Sequence, residues 1–178
     1  FYPTPRTRDL PISFVGGAYG FRPDVIEYLS RRGVDVHTFG PGWPRSGFAN
    51  APDIFNRSEI NLGMGGIGYS EMLTNVKTRD FEVPGTGGGV YLTTYNADLV
   101  THLTPGRDIL CYRNRDEMLE LIRYCLRHPE EGATIAASAR ERCLREHRWR
   151  HRYERVCQLL GILDESGSEA SVSAGMHP

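Results

Sequence analysis

Several things are scarce in this chain, and each scarcity excludes something. Lys77 is its single lysine against twenty arginines, an imbalance expected from nucleotide bias in the genome that carries no function by itself. Formal charge is nearly balanced at −1, so no global field recruits nucleic acid or an anionic membrane. No apolar run approaches the roughly 20 residues of a bilayer span, and no basic-then-apolar signal segment opens the sequence. No cysteine pair has CxxC spacing: Cys111, Cys125, Cys143 and Cys157 lie far apart, which excludes a CxxC metal or redox pair. Three of them fall on predicted helical apolar faces as small core residues, and a reducing, cytoplasmic location is expected. No GxSxG occurs, hence no nucleophile elbow. None of His37, His102, His128, His147 and His151 stands at a metal spacing from another ligand-type residue, and no metal is expected.

What is present reads as one α/β domain of 178 residues, long enough for a real core. "FYPTPRTRDLP" has the look of a linker following something upstream, so residues 1–11 are set apart. Residues 12–163 are assigned to the domain, and the small, polar residues 164–178 to a disordered tail. Strands are expected at Ile12–Val15, Val34–Phe39 and Val90–Thr93, with further short ones in "INLG" and "DILCY". Between the first two, "RPDVIEYLSRRG" has a proline at its start and Gly33 at its stop, as a helix would. A helical turn is expected near Asp53–Asn56, a short helix over Val76–Glu82 broken by Pro84, and another at "NADLVTHL". The last third is helical, opened by a capping box of Asn114 and Glu117, and is predicted to bury Leu119, Ile122, Ile135 and Tyr153. Strand–helix alternation with short connections implies an open parallel sheet with helices on both faces.

In such sheets ligands collect beyond the C-terminal strand ends, where glycines expose backbone amides and helix N-termini add positive charge. Three loops qualify: "GGAYGFR", "GMGGIGYSEMLTN", and the one joining "VYLTT" to "NADL". A dinucleotide fold is disfavoured, since "GGAYG" after the first strand lacks the GxGxxG spacing and the second strand ends "TFGPG", with Asp35 near its beginning instead of an acidic residue at its end. The stretch "KTRDFEVPGTGGGVYLTT" (Lys77 to Thr94) poses the sharper question. Glu82 could accept hydrogen bonds from two ribose hydroxyls while Lys77 and Arg79 reach a diphosphate. Alternatively Lys77, Arg79, Asp80 and Glu82 form a solvated helix face.

From Asn75 to Thr94 the sequence resembles the C-terminal half of GT-B glycosyltransferases, nearest their spore maturation protein (CgeB)-like branch. The matching blocks are "RDFEVP" ahead of the glycines, an apolar strand and "YNADL". "FVG", "GVDVHTFGPGW", "PGRDILCYRNRDEMLELIRYCLRHPEE" and "REHRWRHR" also match, so the resemblance spans Ile12 to Gly161. It implies one Rossmann-like half of a GT-B enzyme, binding a nucleotide-sugar donor without a metal or other cofactor. Glu82 would take the ribose and Lys77 the diphosphate, with Arg79 and Arg22 behind it. Gly16, Gly17 and Asn96 complete the expected donor-site set. An acceptor-binding N-terminal domain or partner chain would supply the other half, and an exposed Trp149 would mark its footprint. The chain departs from relatives where Gly17 replaces a basic residue and Thr74 replaces a second glutamate. A non-catalytic binding module therefore stays open beside the enzyme.

Overall fold

The computed structural model describes residue 3 and residues 7–44 and 50–163. The tail, five residues of the linker and part of the loop after the second strand lie outside them. The chain divides into two compact units, Phe1–Cys143 and Leu144–Pro178.

In the first unit, β1 (Leu10–Val15), β2 (His37–Phe39), β3 (Ser58–Leu62), β6 (Val90–Thr94) and β7 (Leu110–Tyr112) form one sheet in the order β2-β1-β3-β6-β7. Every pairing in it is parallel, with Ser13 opposite His37, Ile12 opposite Ile60, Ile60 opposite Val90 and Leu92 opposite Leu110. The intervening helices are α1 (Arg22–Ser30), α2 (Ala51–Arg57), α3 (Arg79–Thr86), α4 (Leu99–His102), α5 (Arg115–Arg127) and α6 (Pro129–Glu146). Two hydrophobic clusters follow from the alternation of side chains along the strands. Phe14, Leu62 and Leu92 pack with Val25 and Leu29 of α1 and Met118 and Ile122 of α5. On the other face, Tyr91 packs with Phe55 of α2, Val83 of α3, Leu99 of α4 and Cys143 of α6. The expected open parallel sheet with helices on both faces is what the structure shows.

Local details differ from the expectation for identifiable reasons. The second strand is shorter than Val34–Phe39 because Val34 closes the end of α1: its amide donates to the Leu29 carbonyl, past Gly33 at φ +77°. Pro84 does not break α3. The helix runs through it to Gly87, with Val83 and Pro84 both buried, so packing overrides the lost backbone bond. Most consequential is a hairpin of β4 (Gly66–Ile67) and β5 (Ser70–Thr74), antiparallel and separate from the main sheet, where the sequence suggested only a glycine-rich loop. The box at α5 forms with Asn114 accepting from the Glu117 amide at 2.9 Å, while Glu117 reaches back to the amide of Arg113.

In the second unit, α7 (Trp149–Leu159) buries no residue. Trp149 stacks on Tyr153 with centroids 5.9 Å apart. Tyr153, expected in the core, is 63% exposed, and Trp149 and Leu160 are 68% exposed. Ile135 is only partly buried, whereas Leu119 and Ile122 are buried as expected.

Candidate functional site

The strand order places a topological switch point between β1 and β3: the chain moves from β1 to one side and from β3 to the other. In open parallel sheets, ligand crevices form at such a point, outside the carboxyl ends of the two strands. Both glycine-rich loops leave from there, residues 16–20 after β1 and residues 63–66 after β3.

The first loop is held by its own backbone. Gly16 donates to the Phe39 carbonyl and Ala18 to that of Pro41, both at 2.8 Å, while the Trp43 indole donates to the Gly16 carbonyl at 2.7 Å. The Gly16 amide is thus already committed, and what this residue offers a ligand is close approach. A Cβ there would lie 2.8 Å from the Phe14 ring. Gly17 presents its carbonyl to Arg22. The glycines of "GTGGG" serve packing instead: Gly87 caps α3 at φ +66°, and Cβ atoms on Gly88 and Gly89 would strike the Phe55 and Ser58 carbonyls at 2.2 and 2.1 Å.

Two cations converge beneath these loops. Arg22, the first residue of α1, is buried, and its Nη1 donates to the Gly17 carbonyl at 3.1 Å. Its guanidinium lies 4.0 Å from the Tyr19 ring centroid, and its buried Nε has no partner. Lys77 reaches in from the turn before α3, its Nζ donating to the carbonyls of Gly65 at 2.8 Å and Gly66 at 3.3 Å. Burial, and after it the nearby Arg22, hold the Lys77 ammonium below the usual lysine range, with Asp80 pulling the other way. Neither cation has an ion pair among the described residues. An ammonium has three protons, and two are used here, so one remains for an anion.

Glu82 stands in the first turn of α3, half-buried, and no hydrogen bond or ion pair among the described residues engages its carboxylate. Arg79, also half-buried, lies 5.8 Å from the Phe55 ring centroid with an unpartnered Nε. Asp80 is not on a solvated face at all: it is 4% exposed, accepting from Tyr91 at 2.6 Å and from the Lys77 amide at 2.7 Å. That removes the reading of this helix as ordinary surface. Asn96 is buried, and its side-chain oxygen accepts from the Asp98 and Leu99 amides at 2.9 and 3.0 Å, fixing the start of α4. Its amide nitrogen donates to Thr74 at 3.0 Å, so it also ties down the hairpin.

Residue types alone did not reveal the support beneath the loops. The Tyr112 hydroxyl donates to the Gly63 carbonyl at 2.8 Å, Thr94 donates to Tyr112 at 3.0 Å, and the Gly65 amide donates to Thr94 at 3.0 Å. These bonds brace the loop to which Lys77 is bound. Elsewhere, His128 lies 3.8 and 3.9 Å from Glu130 and Glu131, a neighbourhood its sequence spacing did not suggest, in a partly exposed group at the start of α6.

Two cations held against backbone turns, with an unengaged carboxylate on the next helix, make an arrangement able to hold an anion. The sequence profile of the glycosyl transferase-like family matches residues 22–158, which include Arg22, Lys77, Arg79, Glu82 and Asn96. The chain belongs to the glycosyl transferase-like family. No curated protein matches it in sequence. Among solved structures, sucrose-phosphate synthase from Thermosynechococcus elongatus superposes with a TM-score of 0.67 at 13% identity, over 90% of this chain and 49% of that one. TarM superposes with a TM-score of 0.66 at 12% identity, over 89% of this chain and 36% of that one. The likeness is one of fold, and this glycosyl transferase-like chain spans half or less of the length of either neighbour.

Proposed function

We propose that this chain is the C-terminal, donor-binding half of a GT-B glycosyltransferase of the spore maturation protein (CgeB)-like branch, holding a nucleoside diphosphate sugar at the β1/β3 switch point. The observation that carries the reading is the convergence of Arg22 and Lys77, two cations without an ion pair among the described residues, where the fold class binds ligands. Glu82 takes the ribose hydroxyls. Lys77 and Arg22 face the diphosphate, with Arg79 adding charge; Gly16 and Gly17 allow close backbone approach, and Asn96 secures the third loop. In the transfer, the bond from the anomeric carbon to the diphosphate oxygen breaks and the leaving group gains negative charge. Fixed cations stabilise that charge where it develops, with no metal assigned a part.

The acceptor half is a second domain or chain. The exposed stripe of Trp149, Tyr153 and Val156 on α7, with Leu160 at its end, supports this, since contiguous apolar surface marks an interaction site. No described helix is long and apolar enough to cross a membrane. Four cysteines, none of them in a disulfide, support a reducing, cytoplasmic setting.

A thermal-shift screen against UDP, GDP, dTDP and their sugars tests the reading. One nucleotide class should raise Tm, and indifference to all of them would sink it. A second reading, donor binding without catalysis, draws on Thr74, which stands in place of a second glutamate and is engaged by Asn96. Release of free sugar from the stabilising donor, or its transfer once an acceptor half is supplied, separates the two.

A further inference from the structure

Asp80 belongs to none of the expected donor contacts, yet it occupies the best-defined polar position in the site. Both carboxylate oxygens are used, one by the Tyr91 hydroxyl and one by the Lys77 amide. Tyr91 is itself buried in β6, and its hydroxyl lies under the second loop, 2.4 Å from where a Cβ on Gly63 would sit. The Lys77 side chain then returns to Gly65 and Gly66 of that loop. A closed circuit therefore runs from β6 through Asp80 and Lys77 to the loop above.

We infer that Asp80 is the positioning residue of this site: anchored on Tyr91, it fixes the turn that carries Lys77 beneath the second loop. The inference rests on reading Lys77 as a diphosphate ligand. Arg22 of α1 and Asp80 act on Lys77 with opposite sign. The charged or titratable groups facing Asp80 are Lys77, Arg79, Tyr91 of β6 and Cys111 of β7. Burial and, after it, Arg22 disfavour the charged amine, and the Asp80 carboxylate acts against them. At 4% exposure, Asp80 does this from beneath the surface.

The single lysine makes the test direct. In the full chain labelled with 13C,15N-lysine, Lys77 gives the one lysine side-chain signal, and its titration midpoint can be followed without ligand. Asp80→Asn should lower that midpoint, and Asp80→Glu should restore most of it. For whichever of UDP, GDP, dTDP or ADP binds wild type, Asp80→Asn should lose about 10-fold in affinity, the order expected for one charge-assisted hydrogen bond. The alkaline limb of binding should move to lower pH, while the matching nucleoside binds within about 2-fold of wild type on the same arithmetic. An unmoved midpoint, or equal losses for nucleoside and diphosphate, overturns the role of Asp80 alone. Failure of all four diphosphates to bind wild type overturns the site reading and this role with it. Should Asp80→Asn not fold, Tyr91→Phe decides. It removes the anchor but keeps the charge, so the Lys77 amide should lose hydrogen-exchange protection and the diphosphate should bind more weakly. No change in either overturns the proposal.

Discussion

Glu82 and Lys77 make separable contributions, because one is assigned to ribose and the other to phosphate. Glu82→Gln should weaken nucleoside and nucleoside diphosphate alike, by roughly 1–3 kcal/mol, the scale for losing a charge-assisted hydrogen bond. Its Tm should hardly change, since no partner engages the carboxylate in the empty protein. Lys77→Ala should weaken the diphosphate more than the nucleoside. Calorimetric titration of both variants with both ligands checks this, and equal losses for Lys77→Ala would remove lysine from the phosphate position. The cysteines offer an independent check on burial. Removal from water pushes the Cys111 and Cys125 thiols up to about 11, so both stay protonated at neutral pH. A thiol reacts as its thiolate. Brief alkylation of the native protein at pH 7.5, read by peptide mass spectrometry, should therefore spare Cys111, Cys125 and the buried Cys143. Fast labelling of Cys125 would contradict the packing of α5.

At the scale of elements, the hairpin β4–β5 is the part to perturb. Arg115 holds Glu71 through two nitrogens, Asn96 holds Thr74, and a Cβ on Gly20 would come within 1.8 Å of the Gly68 carbonyl, so the first loop sits directly on the hairpin turn. Glu71→Gln should raise hydrogen exchange across residues 66–74 while costing about 1 kcal/mol or less overall, since the pair is partly solvated. Gly20→Ala, at φ +62°, should be worse, by about 1–3 kcal/mol, because it combines a strained backbone with that collision. Chemical denaturation of both variants gives the ranking, and a milder Gly20→Ala would refute it. Much of the architecture was legible because its signals are local. Pro23 and Gly33 bracket α1, Asn114 and Glu117 start α5, and "VYLTT" is the β-branched and aromatic run of a buried strand. The hairpin was not legible, because Ile67, Tyr69, Met72 and Leu73 are all exposed and so show no alternation between buried and solvated faces. Asp80 was misplaced for a related reason: its partner Tyr91 is distant in sequence, and only the folded sheet brings them together. Glu82, Lys77 and Arg79 could be named beforehand because one short segment carries all three.

On the scale of the whole molecule, the two tryptophans report on different units. Trp43 is 8% exposed and Trp149 68%. Acrylamide should quench tryptophan emission in two components, and Trp149→Phe should abolish the accessible one. Loss of that component on adding an acceptor half would locate the docking surface, and an unchanged Trp149 would place it elsewhere. The sheet order has a further consequence, in time rather than space. Ser13 waits for His37, Ile12 for Ile60, Ile60 for Val90 and Leu92 for Leu110, so every ladder of the main sheet joins strands with at least one helix between them in the chain. Loop-closure entropy must be overcome before any of these ladders forms, which slows folding of parallel sheets. The hairpin is the exception, pairing Gly66 with Thr74 across a short turn. During synthesis β1 therefore leaves the ribosome with its partner on the core side, β3, still untranslated, and the central ladder closes only after about fifty more residues have emerged.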